Sequence, residues 1–177
     1  IKMIHYTDPT IVYRQNNAIV SMESINTTSA SNFRLSLLSS SRDPFVAHVT
    51  GTTADTSIEI PFNGTNILVS LIRSTDRGII NFKILDDQGN VERNQNVDLY
   101  NSTWRYDWVN IHSLKMGNHK LVISPTGTKN AAATSFKFDF NKAFVYPAFE
   151  YSFVGPEITY NTNKDLSGGK VRVSFDN

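Results

Sequence analysis

The fold class is decided by the stretch Ile58-Glu59-Ile60-Pro61-Phe62-Asn63-Gly64, in which apolar and polar residues alternate up to a turn signal. Alternation with a period of two is typical of a half-buried β-strand, and Asn-Gly favours a tight turn. The pattern recurs at residues 80–84 and 136–140, and each segment predicts one core face and one water face. No stretch predicts a convincing helix, and residues 24–32 are interpreted as a loop. The sequence therefore predicts an all-β chain folded as an antiparallel β-sandwich.

Composition limits the classes of function. The chain has 177 residues, 40% of them hydrophobic, which is enough for one domain with a buried core. The formal net charge is +1, from 17 basic and 16 acidic residues, so nucleic acid is not expected as a partner. No apolar run is long enough for a membrane helix, so membrane insertion is not expected. Cysteine is absent, which excludes disulfides, thiolate metal sites and a cysteine nucleophile.

The C-terminal residues repeat a pattern found in the middle of the chain. Residues 149–158 align without a gap on residues 58–67, and the same register places Gly169 on Gly78. We therefore divide the chain into a β-sandwich, residues 1–146, and a two-stranded extension, residues 147–177, that partly repeats residues 58–86. The positions of the repeat that match strand residues are Phe149, Tyr151, Phe153, Val171, Val173 and Phe175.

Two strands alone are marginally stable in water, so the extension needs a packing partner. It could complete its own sandwich, begin a second domain, or add to the sheet edge of a neighbouring subunit by strand complementation. The last arrangement propagates head to tail and predicts self-association into a fibre. The matched residues are our candidates for assembly contacts.

An ordered series of motifs runs from residue 62 to residue 140. It consists of Phe62 to Ile67, Asp76-Arg77-Gly78, Asp86-Asp87-Gln88-Gly89, Val97 to Tyr100, Tyr106, Leu114 to Gly117, His119-Lys120-Leu121, Thr126 to Asn130, and Phe138-Asp139-Phe140. This order resembles galactose-binding-like jelly-roll modules, of the kind appended to secreted glycoside hydrolases and cell-surface proteins. Residues 6–13 look like the first strand of such modules. The resemblance covers roughly residues 5 to 145.

The resemblance implies a jelly-roll fold at an extracellular or cell-surface location. Members of this class commonly bind sugars through loops at one end of the sandwich, but no ligand residue carries over to this chain. The matched glycines have a structural interpretation: Gly64 and Gly78 are expected in turns that need a positive φ. Such motifs imply a fold and leave the ligand open.

Three large aromatic residues, Trp104, Tyr106 and Trp108, alternate along one segment and therefore share one face of a strand. Flat rings stack on the C–H faces of sugars, which makes them glycan-binding candidates. A tryptophan in a sandwich often fills the space between the sheets, and the sequence favours that core placement. Arg105 and Asp107 then lie on the opposite face, where solvation is sufficient.

Metal, cofactor and catalytic sites are not predicted. The turn at residues 86–90 has oxygen ligands suited to calcium but lacks the full twelve-residue loop, so it is interpreted as a hairpin turn. Structural calcium bound through backbone carbonyls elsewhere stays open. His5, His48, His112 and His119 have no metal-ligand spacing. There is no nucleophile elbow and no distinctive carboxylate pair, so the chain is not expected to be an enzyme.

N-glycosylation sequons occur at Asn26, Asn63 and Asn101. They fit a secreted glycoprotein, although a chain this rich in Asn, Ser and Thr holds about three by chance. The sequence thus favours a non-catalytic extracellular building block that assembles through its C-terminal extension. The alternative is a glycan-binding module of a larger secreted enzyme or adhesin.

Overall fold

The computed structural model describes residues 1–27, 33–36, 45–48 and 55–146. These residues form thirteen strands and one short helix. The elements are β1 Lys2–His5, β2 Val12–Gln15, β3 Ala18–Val20, α1 Met22–Thr27, β4 Phe33–Ser36, β5 Phe45–His48, β6 Ser57–Asn63, β7 Asn66–Arg73, β8 Ile79–Leu85, β9 Val91–Asp98, β10 Arg105–Ile111, β11 Asn118–Pro125, β12 Phe138–Phe140 and β13 Lys142–Tyr146.

The strands form two main sheets and a small third one. The four-stranded sheet has the order β1-β13-β7-β10, and the six-stranded sheet has the order β3-β2-β6-β11-β8-β9. A three-stranded sheet, β12-β5-β4, adjoins them, and β12 also contacts β7. All of these strand pairs are antiparallel. The predicted antiparallel β-sandwich is confirmed, and its architecture is consistent with a galactose-binding-like jelly roll.

The core lies between the two main sheets, where the predicted alternation holds. In the six-stranded sheet, Leu121 of β11 pairs with Ile60 of β6 on one side and with Ile84 of β8 on the other, and all three are fully buried. Burying a side chain of this size stabilises the fold by about 1.5–3 kcal/mol. Each inward position of these strands therefore contributes to holding the sheets together.

Strand β12 departs from the predicted alternation. Asp139 was expected on a water face, but all three residues of β12 are buried, and Asp139 has no exposed surface. Its Oδ1 accepts a hydrogen bond from the Ile72 amide at 2.9 Å, and its Oδ2 accepts one from Arg77 Nε at 2.9 Å. The expectation was wrong because β12 is covered on both faces, and a buried carboxylate needs such partners.

The two segments near the N-terminus also differ from expectation. A helix, α1, begins at Met22 and extends into the expected loop at residues 24–32. Ser21 caps it, because the Ser21 hydroxyl accepts a hydrogen bond from the Ser24 amide at 3.1 Å. Residues 6–13 are not one strand. Asp8 makes a turn by accepting a hydrogen bond from the Thr10 amide at 2.9 Å, and β2 begins only at Val12.

The expectation of a positive φ at Gly64 and Gly78 is wrong. Both are needed for close backbone approach: a Cβ at Gly64 would collide with the carbonyl oxygen of Tyr146, and a Cβ at Gly78 would lie 3.0 Å from Phe136 Cα. Positive φ angles occur instead at Gly89, Gly117 and Gly127. Steric contact, rather than a left-handed turn, therefore excludes larger residues at positions 64 and 78.

The C-terminal extension lies outside the described residues. This applies to every candidate assembly residue, Phe149, Tyr151, Phe153, Val171, Val173 and Phe175. Among the residues that are described, no helix is long and apolar enough to cross a membrane.

Candidate functional site

The three aromatic residues of the predicted stripe lie on the surface. Trp104 is 42% exposed, Tyr106 39% and Trp108 42%, so the favoured core placement is wrong. The physical reason is the register of β10: Val109 and Ile111 face the core, which turns the even-numbered residues outward. Both sets include large apolar residues, and the sequence alone does not show which one the fold buries.

The rings belong to a larger apolar surface. Strand β10 is one edge of the four-stranded sheet, and its outward side chains adjoin those of β7 and β13. Leu68 of β7 pairs with Phe144 of β13, which pairs with Met3 of β1; Met3 is 54% exposed and the other two are half-buried. We call this surface the aromatic face; it consists of Met3, Leu68, Trp104, Tyr106, Trp108 and Phe144.

The rings form two neighbouring pairs. Trp104 and Tyr106 meet edge to face, with centroids 4.9 Å apart and an interplanar angle of 76°. Trp108 and Phe144 are tilted by 36° at 5.6 Å. Such pairs are worth about 0.5–1.5 kcal/mol each and restrict the rotamers of their members. Along the strand, Trp104 to Trp108 span about 13 Å, which is longer than one pyranose ring.

A charged cluster fixes the strand that carries the rings. Asp107 was expected to be simply solvated, but its carboxylate accepts hydrogen bonds from Arg73 Nε and, at 2.8 Å, from the Trp108 amide. Partial burial would raise the pKa of Asp107, but the Trp108 amide and Arg73 outweigh it and hold the pKa below its usual value. Arg73 also donates to the carbonyl of Asp98. Asp107 therefore links the backbone of Trp108 to Arg73, and Arg73 in turn links it to the backbone of Asp98.

The turn at residues 86–90 has the predicted hairpin form. Asp86 Oδ1 accepts hydrogen bonds from the Gln88 amide at 3.0 Å and from the Asn90 amide at 2.7 Å. Hydrogen bonds from Asn90 lower the pKa of Asp86. Because this carboxylate closes its own turn, it is poorly placed to hold calcium. Within the described ranges, no group of three or more His, Cys, Asp or Glu side chains is arranged to hold a metal ion.

Two of the sequon asparagines can be described. Asn63 is exposed, and its Nδ2 donates to Asn118 Oδ1 at 2.8 Å. Asn101 is half-buried, and its Nδ2 donates to the Thr103 carbonyl at 2.7 Å. The side chain of Asn26 lies outside the described part of the chain. Glycosylation at all three sites stays a prediction.

Comparisons with known proteins return solved structures alone. No protein-family model and no curated protein matches the chain. A family two carbohydrate esterase from Cellvibrio japonicus is 12% identical with a TM-score of 0.49, and the match covers 80% of this chain and 32% of that one. A Paenibacillus xanthan lyase is 17% identical with a TM-score of 0.43, and the match covers 59% of this chain and 10% of that one.

A family 35 carbohydrate binding module from Clostridium thermocellum is 12% identical with a TM-score of 0.44, and the match covers 81% of this chain and 97% of that one. The chain thus spans about a third of the esterase and a tenth of the lyase. These likenesses are distant, and it is the sheet order and antiparallel pairing that define the architecture. The chain is an all-β sandwich consistent with the galactose-binding-like jelly roll.

Proposed function

We propose that the chain is a non-catalytic carbohydrate-binding module that holds an oligosaccharide against the aromatic face. The observation that carries this proposal is the exposure of Trp104, Tyr106 and Trp108, each about two-fifths exposed, in β10 and the residue directly before it. An apolar surface that remains exposed in a folded domain commonly marks a binding site. Flat aromatic rings suit sugars in particular, because they pack against C–H faces while hydroxyl groups stay hydrated.

The shape of the aromatic face favours an oligosaccharide over a single sugar. The Trp104–Tyr106 pair and the Trp108–Phe144 pair follow one another along the four-stranded sheet. Half-buried Leu68 and Phe144 extend the apolar surface beyond β10. We place the module outside the cell, as part of a larger secreted or surface protein.

The proposal is tested with two variants and a panel of soluble neutral and acidic oligosaccharides, measured by titration calorimetry. Trp108→Ala removes a ring, and we expect a loss of affinity of roughly tenfold, equivalent to about 1.4 kcal/mol. Trp108→Phe keeps a ring and should retain most of the affinity. Ile19→Ala, which changes a residue 67% exposed on the six-stranded sheet, is the matched control and should bind as the wild type does. Binding that survives Trp108→Ala together with Trp104→Ala would exclude this face.

Self-assembly through residues 147–177 stays a second proposal, favoured by the internal sequence repeat. Strand β10 is a poor acceptor edge for an added strand, because the Trp108 amide already donates to Asp107. The assembly would therefore use another sheet edge. We expect the full chain to form higher oligomers in light scattering after size-exclusion chromatography, and a chain that ends at Tyr146 to remain a folded monomer. Equal masses for the two would contradict assembly through this segment.

A further inference from the structure

A buried histidine lies beside a cavity at the end of the sandwich opposite Trp104. The side chain of His119, in β11, is 2% exposed, and its ring lies 5.2 Å from the ring of Phe62. The Nε2 atom of His119 is 2.8 Å from the carbonyl oxygen of Lys115. A carbonyl oxygen only accepts hydrogen bonds, so Nε2 carries a hydrogen.

The other ring nitrogen faces a carboxylate. Nδ1 of His119 lies 3.3 Å from Oε2 of Glu92, and among the described residues neither atom has a geometrically good hydrogen-bond partner. The second oxygen of Glu92 accepts a hydrogen bond from the Lys115 amide at 2.6 Å. With Nε2 protonated, a neutral ring would present Nδ1 as an acceptor towards another buried acceptor, which is costly.

We propose that His119 and Glu92 share one proton, and that this proton fastens the backbone of Lys115 to the sandwich. Glu92 accepts a hydrogen bond from the backbone amide of Lys115, and His119 donates one to the backbone carbonyl of the same residue. Loss of the proton leaves two buried acceptors facing each other, which the structure relieves by separating them. The backbone at Lys115 is therefore held in place at lower pH and loosens as the pH rises, between Leu114 and Gly117, which have their own hydrogen bonds to Thr65 and Gly64.

The charges around the pair are mixed. Asp86 and Asp87 line the cavities beside His119 and favour the protonated pair, whereas Lys115 and Lys120 line the same cavities and oppose it. Residues 115–118 form one wall of a cavity of about 220 Å³. Release of Lys115 therefore changes the shape of this cavity, which makes the shared proton a pH-sensitive device within the fold.

Hydrogen exchange at the Lys115 amide tests the proposal. Between about pH 5 and about pH 8, where imidazoles change charge, protection in the wild type should fall by about tenfold after correction for intrinsic exchange. In Glu92→Gln the amide group donates to Nδ1 and its oxygen still accepts from Lys115, so protection should not depend on pH. His112→Gln changes an exposed histidine close to Lys115 in the sequence and should behave as the wild type does.

The same pH dependence in the wild type and in Glu92→Gln would overturn the proposal. Nitrogen chemical shifts of the His119 ring give an independent readout that needs no variant to fold. In the protected state, Nδ1 should carry the proton or Glu92 should be protonated. An unprotonated Nδ1 beside an ionised Glu92 in that state would also overturn it.

Discussion

The stability of the fold should depend on pH through Asp139. Full burial raises the pKa of this carboxyl from 3.8 to about 6, and the guanidinium of Arg77 opposes that rise without cancelling it. Because the pKa is higher in the folded state, the folded chain binds this proton more tightly than the unfolded chain does. The resulting stability is fully present below pH 3.8 and is lost as the pH rises through about 6.

The magnitude follows from the difference between the two pKa values. About two pH units correspond to about 3 kcal/mol of unfolding free energy. Asp139→Asn keeps the size of the side chain and an acceptor for the Ile72 amide, but it does not ionise. Denaturant unfolding of both proteins across the pH range isolates this group: the free energy of unfolding of the wild type minus that of Asp139→Asn should rise by about 3 kcal/mol between about pH 7 and about pH 3.

A matched variant controls for the loss of one negative charge. Asp87→Asn removes an exposed carboxylate from the turn at residues 86–90, and its difference from the wild type should change little over the same range. A difference between the wild type and Asp139→Asn that stays constant, or that falls towards acid, would refute the reasoning. Burial of Asp139 would then not dominate its titration.

Three further changes have defined outcomes. Gly64→Ala forces a Cβ into the carbonyl of Tyr146, and we expect denaturant unfolding to show a loss of about 1–3 kcal/mol; an unchanged midpoint would show that the two backbones can separate at no cost. Phe82→Ala empties a fully buried site and should cost about 3–5 kcal/mol; a loss below about 1 kcal/mol would contradict its place in the core. Ser21→Ala removes the cap of α1, so amide exchange at Ser24 should quicken by about fivefold, and unaltered exchange would argue against the cap.

The sandwich could be predicted because its central strands have one apolar face. In β6 and β8 large apolar residues occupy every second position and most of the positions between them are polar, so one register buries each alternating set. The same rule failed at β12, where polar Asp139 is buried with its neighbours. Nothing in a local pattern shows that β12 packs against β7 as well as pairing within its own sheet, or that Arg77, 62 positions earlier, supplies a partner for Asp139.

The aromatic face could be predicted as a set of residues but not as a surface. In β10, both the even and the odd positions include apolar residues, and the fold buries Val109 and Ile111 in preference to Tyr106 and Trp108. That choice depends on the pairing with β7 and on how much space the core offers. The close approach at Gly64 was missed for the same reason, because its partner lies on β13, far along the chain.

The most direct test of the central claim uses the only two tryptophans of the chain, Trp104 and Trp108, both of which belong to the aromatic face. Their indole N–H resonances can be followed by NMR while soluble oligosaccharides are added. If the aromatic face binds sugar, at least one oligosaccharide of the panel should shift both indole signals saturably, and the ring signals of buried His119 should not move. Saturable binding that leaves both indole signals unchanged would contradict the account.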